Sequence, residues 1–217
     1  MCEFGFLPDV EWISRGYPLH LACEGKHSKE TVRFLLTFNN CGINKQVTSY
    51  TSMTPLSVAA EGQNLEVVKL LLDAGADPDI VDGTMRTSLC YCLKNRNAIV
   101  DYELQLLLLA KMTAMTSRDC IANILRANHR PLIILALNKF KHAILGANMD
   151  GMSALVYCAY YSCPDNIAPL LANGGWDPSH KRCGKNAIEV ARQRGNHTIA
   201  DEIQLFVNNN NNNNNNN

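Results

Sequence analysis

The chain has 217 residues, carries no formal net charge and is 47% hydrophobic. A neutral chain lacks the positive field of proteins that coat nucleic acid, so nucleic acid is disfavoured as a partner. The longest apolar runs, 106–110 and 132–137, fall far short of the roughly 18 residues that span a bilayer, so we expect no membrane insertion.

The first 14 residues contain acidic residues and no basic n-region, so no signal peptide is expected. The chain has nine cysteines, an odd number. Together with the expected lack of a signal peptide, this number indicates a reducing, intracellular location that is cytoplasmic or nuclear. We interpret the segment as either a cap over the following residues or a short docking segment, through its apolar residues Phe4, Phe6, Leu7, Trp12 and Ile13.

Residues 54–79 read TPLSVAAEGQNLEVVKLLLDAGADPD. Two apolar clusters, at 56–59 and 67–72, predict two short helices joined by a turn at 61–64. Pro55 suits a first helical turn, and Gly75 suits the end of the second helix. Because isolated helices of fewer than about 12 residues are marginal in water, this unit needs neighbours.

The pattern recurs every 33 residues, at Thr87, Cys120, Ser153 and Asn186. Upstream, the run from Tyr17 to Ala22 has the same form, but it lies 37 residues before Thr54 and requires about four inserted residues. We therefore predict six units.

The Thr54-Pro55-Leu56 opening, the Ala59-Ala60 pair, the apolar run 67–72 and the Gly75-Ala76-Asp77 close resemble an ankyrin repeat. The resemblance implies an all-α solenoid of about six helix-turn-helix units with extended finger loops. The repeat domain covers 15–206, with units near 15–48, 49–82, 83–115, 116–148, 149–181 and 182–206. We expect the last unit to be a C-terminal cap.

The motif departs from the family at one position. In ankyrin repeats a Thr and a His at the start of the first helix support each other by hydrogen bonding. No unit here keeps both: His20 follows Tyr17, while Thr54 is followed by Ser57 and Thr87 by Cys90. We expect a divergent array in which His20 has a structural role.

Cysteines on predicted first helices fall at small, packed positions, and we interpret them as small hydrophobic residues: Cys23, Cys90, Cys92 and Cys158. Two alternatives stay open. A metal could be held by Cys158 with Cys163, or by His180 with Cys183, and a reactive thiol could lie at Cys41, Cys163 or Cys183. None of these thiols has an evident base and orienting partner nearby, and no enzyme motif is present, so we predict no catalytic residue, metal or cofactor.

The resemblance implies binding of a partner protein through finger tips and the solvent-facing side of the first helices, which line a concave groove. By repeat phase and residue type, we predict these partner-binding residues: Tyr50, Met53, Arg86, Arg118, Met149, Met152, Tyr160, Tyr161, Trp176, Arg182, Lys185 and Arg194.

The predicted partner-binding residues include both aromatic and basic side chains. We therefore predict a partner with an acidic segment and an apolar anchor. The predicted function is a non-catalytic adaptor, inhibitor, assembly chaperone or scaffold subunit, including a subunit of a larger complex. The alternative is an enzyme-associated or metal/cysteine-dependent regulatory protein that uses the array as a frame.

Residues 207–217 form a tail that ends in ten consecutive asparagines. Such a tract buries no apolar surface, so we predict that it is disordered. Two interpretations stay open: natural low-complexity sequence, or a stand-in for unassigned residues.

Overall fold

The computed structural model describes residues 16–25, 29–39, 41–48, 51–94, 102–115, 117–177 and 179–214. The regular elements within these ranges are helices, with no named β-strand, which confirms the predicted all-α class. The chain divides into two compact units, Met1–Ser117 and Arg118–Asn217. The predicted N-terminal cap or docking segment and Tyr50 lie outside the described residues.

The described residues of the first unit form three helix pairs. Its helices are α1 (Pro18–Glu24), α2 (Lys29–Leu35), α3 (Pro55–Glu61), α4 (Leu65–Asp73), α5 (Ser88–Lys94) and α6 (Tyr102–Lys111). The first helix of each pair packs on the first helix of the next, α1 on α3 and α3 on α5, while α2 packs on α4 and α4 on α6.

The second unit also contains three pairs. They are α7 (Arg118–Ala127) with α8 (Arg130–Leu145), α9 (Ala154–Tyr161) with α10 (Ile167–Ala172), and α11 (Ala187–Gln193) with α12 (His197–Asn214). A 3₁₀ turn at Pro164–Asn166 leads into α10. Helix α9 packs against α7 and α11, and α10 packs against α8 and α12.

Local sequence starts several of these helices. Pro18 and Pro55 occupy the first turn of α1 and α3, where a missing N–H costs no hydrogen bond. The side chains of Thr54 and Asn186 accept hydrogen bonds from the backbone N–H groups of the first turns of α3 and α11. In α11 the Glu189 side chain completes a capping box.

Small residues in the first helices allow close packing. Ala59 and Ala60 in α3 have no exposed surface, and Cys90, Cys92 and Cys158 are buried. The interpretation of these cysteines as packed hydrophobic residues therefore agrees with their burial. Because a seven-residue helix such as α3 cannot hold its own conformation in water, burial between neighbours supplies its stability.

Polar side chains also join successive repeats of the first unit. The buried ring of His20 bonds to the Met53 carbonyl over 3.0 Å, one repeat further along the chain. Ser57, which stands where the family has His, pairs its hydroxyl with that of Ser88 over 3.1 Å. The Thr54 hydroxyl meets the same Ser57 oxygen over 3.1 Å. The hydroxyl groups of Thr54, Ser57 and Ser88 therefore take the place of the Thr–His pair that the ankyrin resemblance implies.

Asp82 organises the finger loop that precedes α5. Its carboxylate accepts hydrogen bonds from the Thr84 backbone N–H and hydroxyl, each 2.7 Å, from the Arg86 N–H at 2.9 Å, and from the Tyr91 hydroxyl. Burial raises the pKa of this carboxyl group, but the hydrogen bonds together bring the pKa below its ordinary value. Burial and the carboxylate raise the pKa of Tyr91 to about 12.

We predict that Asp82→Asn lowers the free energy of unfolding by about 2 kcal/mol at neutral pH, because the amide loses the charge and places an N–H₂ donor against other donors. Urea unfolding measures the change. Since the pKa of Asp82 is lower in the folded chain, its contribution is complete above about pH 5 and is lost as the pH falls through the folded pKa.

The matched control is Asp73→Asn, which removes the same charge from an exposed residue near the end of α4. A loss as small as that of the control at neutral pH, or a difference between the variants that does not shrink in acid, would contradict this role of Asp82.

The asparagine tract differs from the sequence-based prediction. Helix α12 continues through Asn214, although disorder is predicted from residue 207. The first turn of a helix must order about three residues to form one hydrogen bond. Each residue added later forms one hydrogen bond while only its own backbone is ordered, so extending a helix costs much less free energy than starting one. The asparagine side chains at 208–212 are exposed, so this extension buries no core residue.

We predict that deletion of residues 208–217 changes the free energy of unfolding by less than about 0.5 kcal/mol, because surface positions contribute little. Ile203→Ala in the same helix removes a fully buried side chain and should cost about 3 kcal/mol. Chemical denaturation of the deletion variant and of Ile203→Ala measures both changes in the free energy of unfolding. A deletion as costly as Ile203→Ala would show that the tract supports the core.

Candidate functional site

The C-terminal turn of α9 brings two tyrosines to the surface of the second unit. The preceding residues of the helix, 154–159, are all buried, whereas Tyr160 and Tyr161 are half-buried. Ser162 ends the helix in the left-handed conformation, with φ of 60°, and its hydroxyl donates to the Asn196 side chain over 3.0 Å. The end of α9 at Ser162 therefore determines where the two tyrosine rings reach the surface.

Two arginines lie over the ring of Tyr160. The guanidinium carbon of Arg182 is 3.7 Å from the ring centroid, and that of Arg194 is 4.4 Å from it. Arg194 also donates from Nε to the Tyr160 carbonyl over 3.3 Å. These distances are within the range of cation–π attraction, so the ring holds both cations in place.

A third arginine covers the neighbouring ring. The guanidinium carbon of Arg126, in α7, is 4.3 Å from the centroid of Tyr161. The rings of Tyr160 and Tyr161 pack edge to face with their centroids 4.9 Å apart. The centroid of the Tyr161 ring is also 4.5 Å from that of Tyr157. We refer to Arg126, Tyr160, Tyr161, Arg182 and Arg194 as the tyrosine–arginine cluster.

The cluster carries uncompensated positive charge. In the part of the chain that the structure describes, no carboxylate oxygen lies within 4.0 Å of a nitrogen of its three guanidinium groups. The sequence of the second unit contains ten lysines and arginines against seven aspartates and glutamates, and that of the first contains ten against thirteen. The net charge of zero is therefore the sum of an acidic first unit and a basic second unit.

The arginines also change the acidity of Tyr160. Arg182, which lies against the ring, and the charge of Arg194 together hold the pKa of this phenol below its ordinary value. Tyr157 behaves in the opposite way, because burial raises its pKa to about 12.

The structure brings three of the predicted finger and helix positions together with one another: Tyr160, Arg182 and Arg194. Tyr161 joins them through ring contact. Lys185 is exposed and donates to the Gln193 side chain over 2.9 Å. Arg118 is exposed at the start of α7.

In the first unit, Met53 and Arg86 are half-buried at the base of finger loops. The Met53 carbonyl accepts hydrogen bonds from His20 and from the Val47 N–H. The Arg86 backbone N–H donates to Asp82. The backbone of both residues is thus part of the scaffold.

Met149 and Met152 are not surface residues, which corrects the expectation that both lie in the binding surface. Their exposed fractions are only 5% and 2%. They exchange backbone hydrogen bonds of 2.9 and 3.0 Å around Asp150 and Gly151, which have positive φ and form the exposed tip. The repeat phase located the hairpin correctly, but its flanking side chains turn inward.

Trp176 is not part of the tyrosine–arginine cluster. It lines a separate cavity of about 380 Å³ together with Leu145, Ser153 and His180, and neither Tyr160 nor Tyr161 lines it. His180 lies 3.8 Å from the Asp177 carboxylate in the same loop.

The loop cysteines differ in their surroundings. Cys41 and Cys163 are buried, while Cys183 is exposed at a finger tip with φ of 49°. Burial raises the pKa of Cys23 to about 12 and that of Cys158 well above its usual range, so neither thiol is readily ionised. Within the described ranges, no three His, Cys, Asp or Glu side chains are placed to hold a metal ion.

Sequence reasoning missed Arg126. The signal that could have found it is the repeat length itself, because residues about one repeat apart occupy equivalent positions on stacked first helices. The bond from Arg194 to Tyr160 spans 34 residues, and Arg126 precedes Tyr161 by a similar separation.

Known proteins support the fold. Residues 19–119 match the family model for ankyrin repeats, in three copies. This region of the chain consists of ankyrin repeats, and the prediction of an all-α ankyrin solenoid is confirmed. Ankyrin repeats generally mediate protein–protein interactions and are typically non-catalytic. A search of curated proteins finds no match.

Three solved structures are similar. One is a chain of the complex between the predatory endopeptidase Bd0816 of Bdellovibrio bacteriovorus and the immunity protein Bd3460, with 26% identity and a TM-score of 0.66 over 85% of this chain and 95% of that one. The ankyrin repeat domain of Bcl-3, a member of the IkappaB protein family, has 24% identity and a TM-score of 0.68 over 90% and 86%. The ankyrin repeat protein EF0377 has 21% identity and a TM-score of 0.68 over 86% and 96%.

No helix in the described part of the chain is both long and apolar enough to cross a lipid bilayer.

We predict that Arg182→Gln raises the pKa of Tyr160, because it removes the positive charge beside the ring that favours the phenolate. NMR titration of ring-labelled tyrosine measures the change. Arg192→Gln, an exposed charge change in α11, is the control and should leave this pKa in place. An unchanged pKa in Arg182→Gln would contradict the contact.

Proposed function

We propose that the chain is a non-catalytic protein-binding module that acts inside the cell, as an adaptor, inhibitor, assembly chaperone or scaffold subunit, and that the tyrosine–arginine cluster is the centre of its binding surface. The observation that carries this proposal is the packing of three arginines, unpaired with any described carboxylate, on two adjacent tyrosine rings.

The residue types favour a protein partner. Tyrosine and arginine are enriched among the few residues that supply most of the binding energy at protein interfaces. A stacked arginine has already lost much of its side-chain freedom, so it loses less entropy when a partner binds. The half-buried rings add apolar surface that a partner can cover without a large rearrangement.

The charge of the cluster indicates the chemistry of the partner. Three guanidinium groups attract an acidic segment, and the tyrosine rings accept an apolar or aromatic side chain beside it. Arg118 and Lys185 are exposed and stay candidates for the edge of the same surface. Met149 and Met152 are excluded from it by their burial.

One structural relative supports a binding role. A similar chain belongs to the complex of an endopeptidase with an immunity protein, so this architecture occurs in a protein–protein complex. The ankyrin repeats at 19–119 are a further reason to expect a protein ligand.

The test is capture of partners by the tagged full chain, identification by mass spectrometry, and measurement of affinity for the partner found. Tyr160→Ala and Arg182→Glu should each weaken Kd by roughly tenfold or more, the loss typical of a hot-spot residue. The matched controls are Lys141→Glu, an equal charge change at an exposed position of α8, and Tyr102→Ala, which removes an exposed ring of α6.

Circular dichroism and denaturation confirm that each variant is folded. Partner sets and affinities that stay the same in both cluster variants would show that binding takes place elsewhere. Loss of binding in Lys141→Glu as well would show a general charge effect and would also count against the cluster.

A further inference from the structure

An arginine that stacks on a tyrosine ring can still donate hydrogen bonds from the edge of its guanidinium group. A guanidinium group is planar, and when its face lies on a ring its N–H donors point sideways in the plane. Arg182 and Arg194 both lie within 4.4 Å of the Tyr160 centroid, so their donors are concentrated beside one ring. One donor of Arg194, Nε, is used by the Tyr160 carbonyl, and its terminal nitrogens remain.

The Tyr160 hydroxyl adds a donor at the same place. A phenolic hydroxyl can donate its own proton to a further acceptor. Arg126, on the adjacent Tyr161 ring, extends the donor set along α7. The site therefore offers several N–H donors, one hydroxyl donor and three positive charges, with no acidic counter-group among the described residues.

We propose that the tyrosine–arginine cluster binds a phosphorylated side chain of its protein partner. This inference rests on the proposed function and narrows its acidic segment to a phosphate ester. A phosphate monoester has a charge of about −1.5 to −2 at neutral pH and three acceptor oxygens, whereas a carboxylate has one charge and two oxygens. Two adjacent guanidinium groups and a hydroxyl match the larger charge and the greater number of acceptors.

The tyrosine rings supply the second part of the recognition. A phosphorylated residue carries an apolar stem or ring below the phosphate, and the half-buried rings of Tyr160 and Tyr161 lie beside the donors that would hold the phosphate. An ester with an apolar group should therefore bind more tightly than inorganic phosphate.

The test uses three small probes with the full chain: phenyl phosphate, phenylacetate and inorganic phosphate. Phenyl phosphate and phenylacetate both carry a ring and differ in the anionic group. Binding is followed through the ring resonances of Tyr160 and Tyr161 by NMR. We expect phenyl phosphate to bind roughly tenfold more tightly than phenylacetate, the effect of about one additional charge-assisted hydrogen bond. Inorganic phosphate should bind more weakly than phenyl phosphate.

Variants assign the binding to the cluster. Arg182→Gln and Arg194→Gln should each weaken phenyl phosphate binding by roughly tenfold, whereas Lys141→Gln, with the same charge change on α8, should leave it unchanged. Equal affinity for phenyl phosphate and phenylacetate, no shift of the tyrosine resonances, or equal losses in all three variants would overturn the inference.

A partner found by capture separates this inference from the proposed function. If treatment of the partner with a phosphatase leaves its affinity unchanged while Tyr160→Ala and Arg182→Glu still weaken binding, the phosphate inference is overturned and the binding surface stands. If phosphatase treatment and the cluster variants each abolish binding, both are supported.

Discussion

The structure depends on the inability of a single helix pair to bury its own apolar face. Helices α1, α3 and α5 have only seven residues each, too few to persist alone in water. Each is held by contact with the first helix of the neighbouring pair, where small side chains such as Ala59 and Ala60 allow close approach. Stability is therefore shared between neighbours, as in repeat proteins generally.

The same stacking explains how this chain folds without the Thr–His pair of ankyrin repeats. Where the His is replaced, short polar side chains still reach the next repeat, as Ser57 reaches Ser88. His20, which is retained, bonds to the Met53 carbonyl one repeat away. The requirement is that buried polar atoms find partners across the repeat boundary, and several residue types can meet it.

The proposed function depends on side chains that the stacking of helices leaves at the surface. The hairpins at Met149–Met152 and Arg182–Lys185 have the same backbone bonding, yet the methionines are buried while Arg182 lies half-buried over Tyr160. Repeat phase can locate such a hairpin, but the direction of each side chain depends on what lies beside it. For that reason repeat phase and residue type predict the aromatic and basic positions near the C-terminus as a group, but they do not reveal that Met149 and Met152 are buried.

The sequence by itself determined the repeat length, the helix pairs, the buried cysteines of the first helices and most of the cluster, because these follow from apolar periodicity and residue type. It could not supply Arg126 or separate Trp176 from the tyrosines, since both depend on which side chains face each other between stacked helices. Only the tertiary structure placed three guanidinium groups on two rings. Residues distant in the chain meet there because the stacking of repeats brings equivalent positions together.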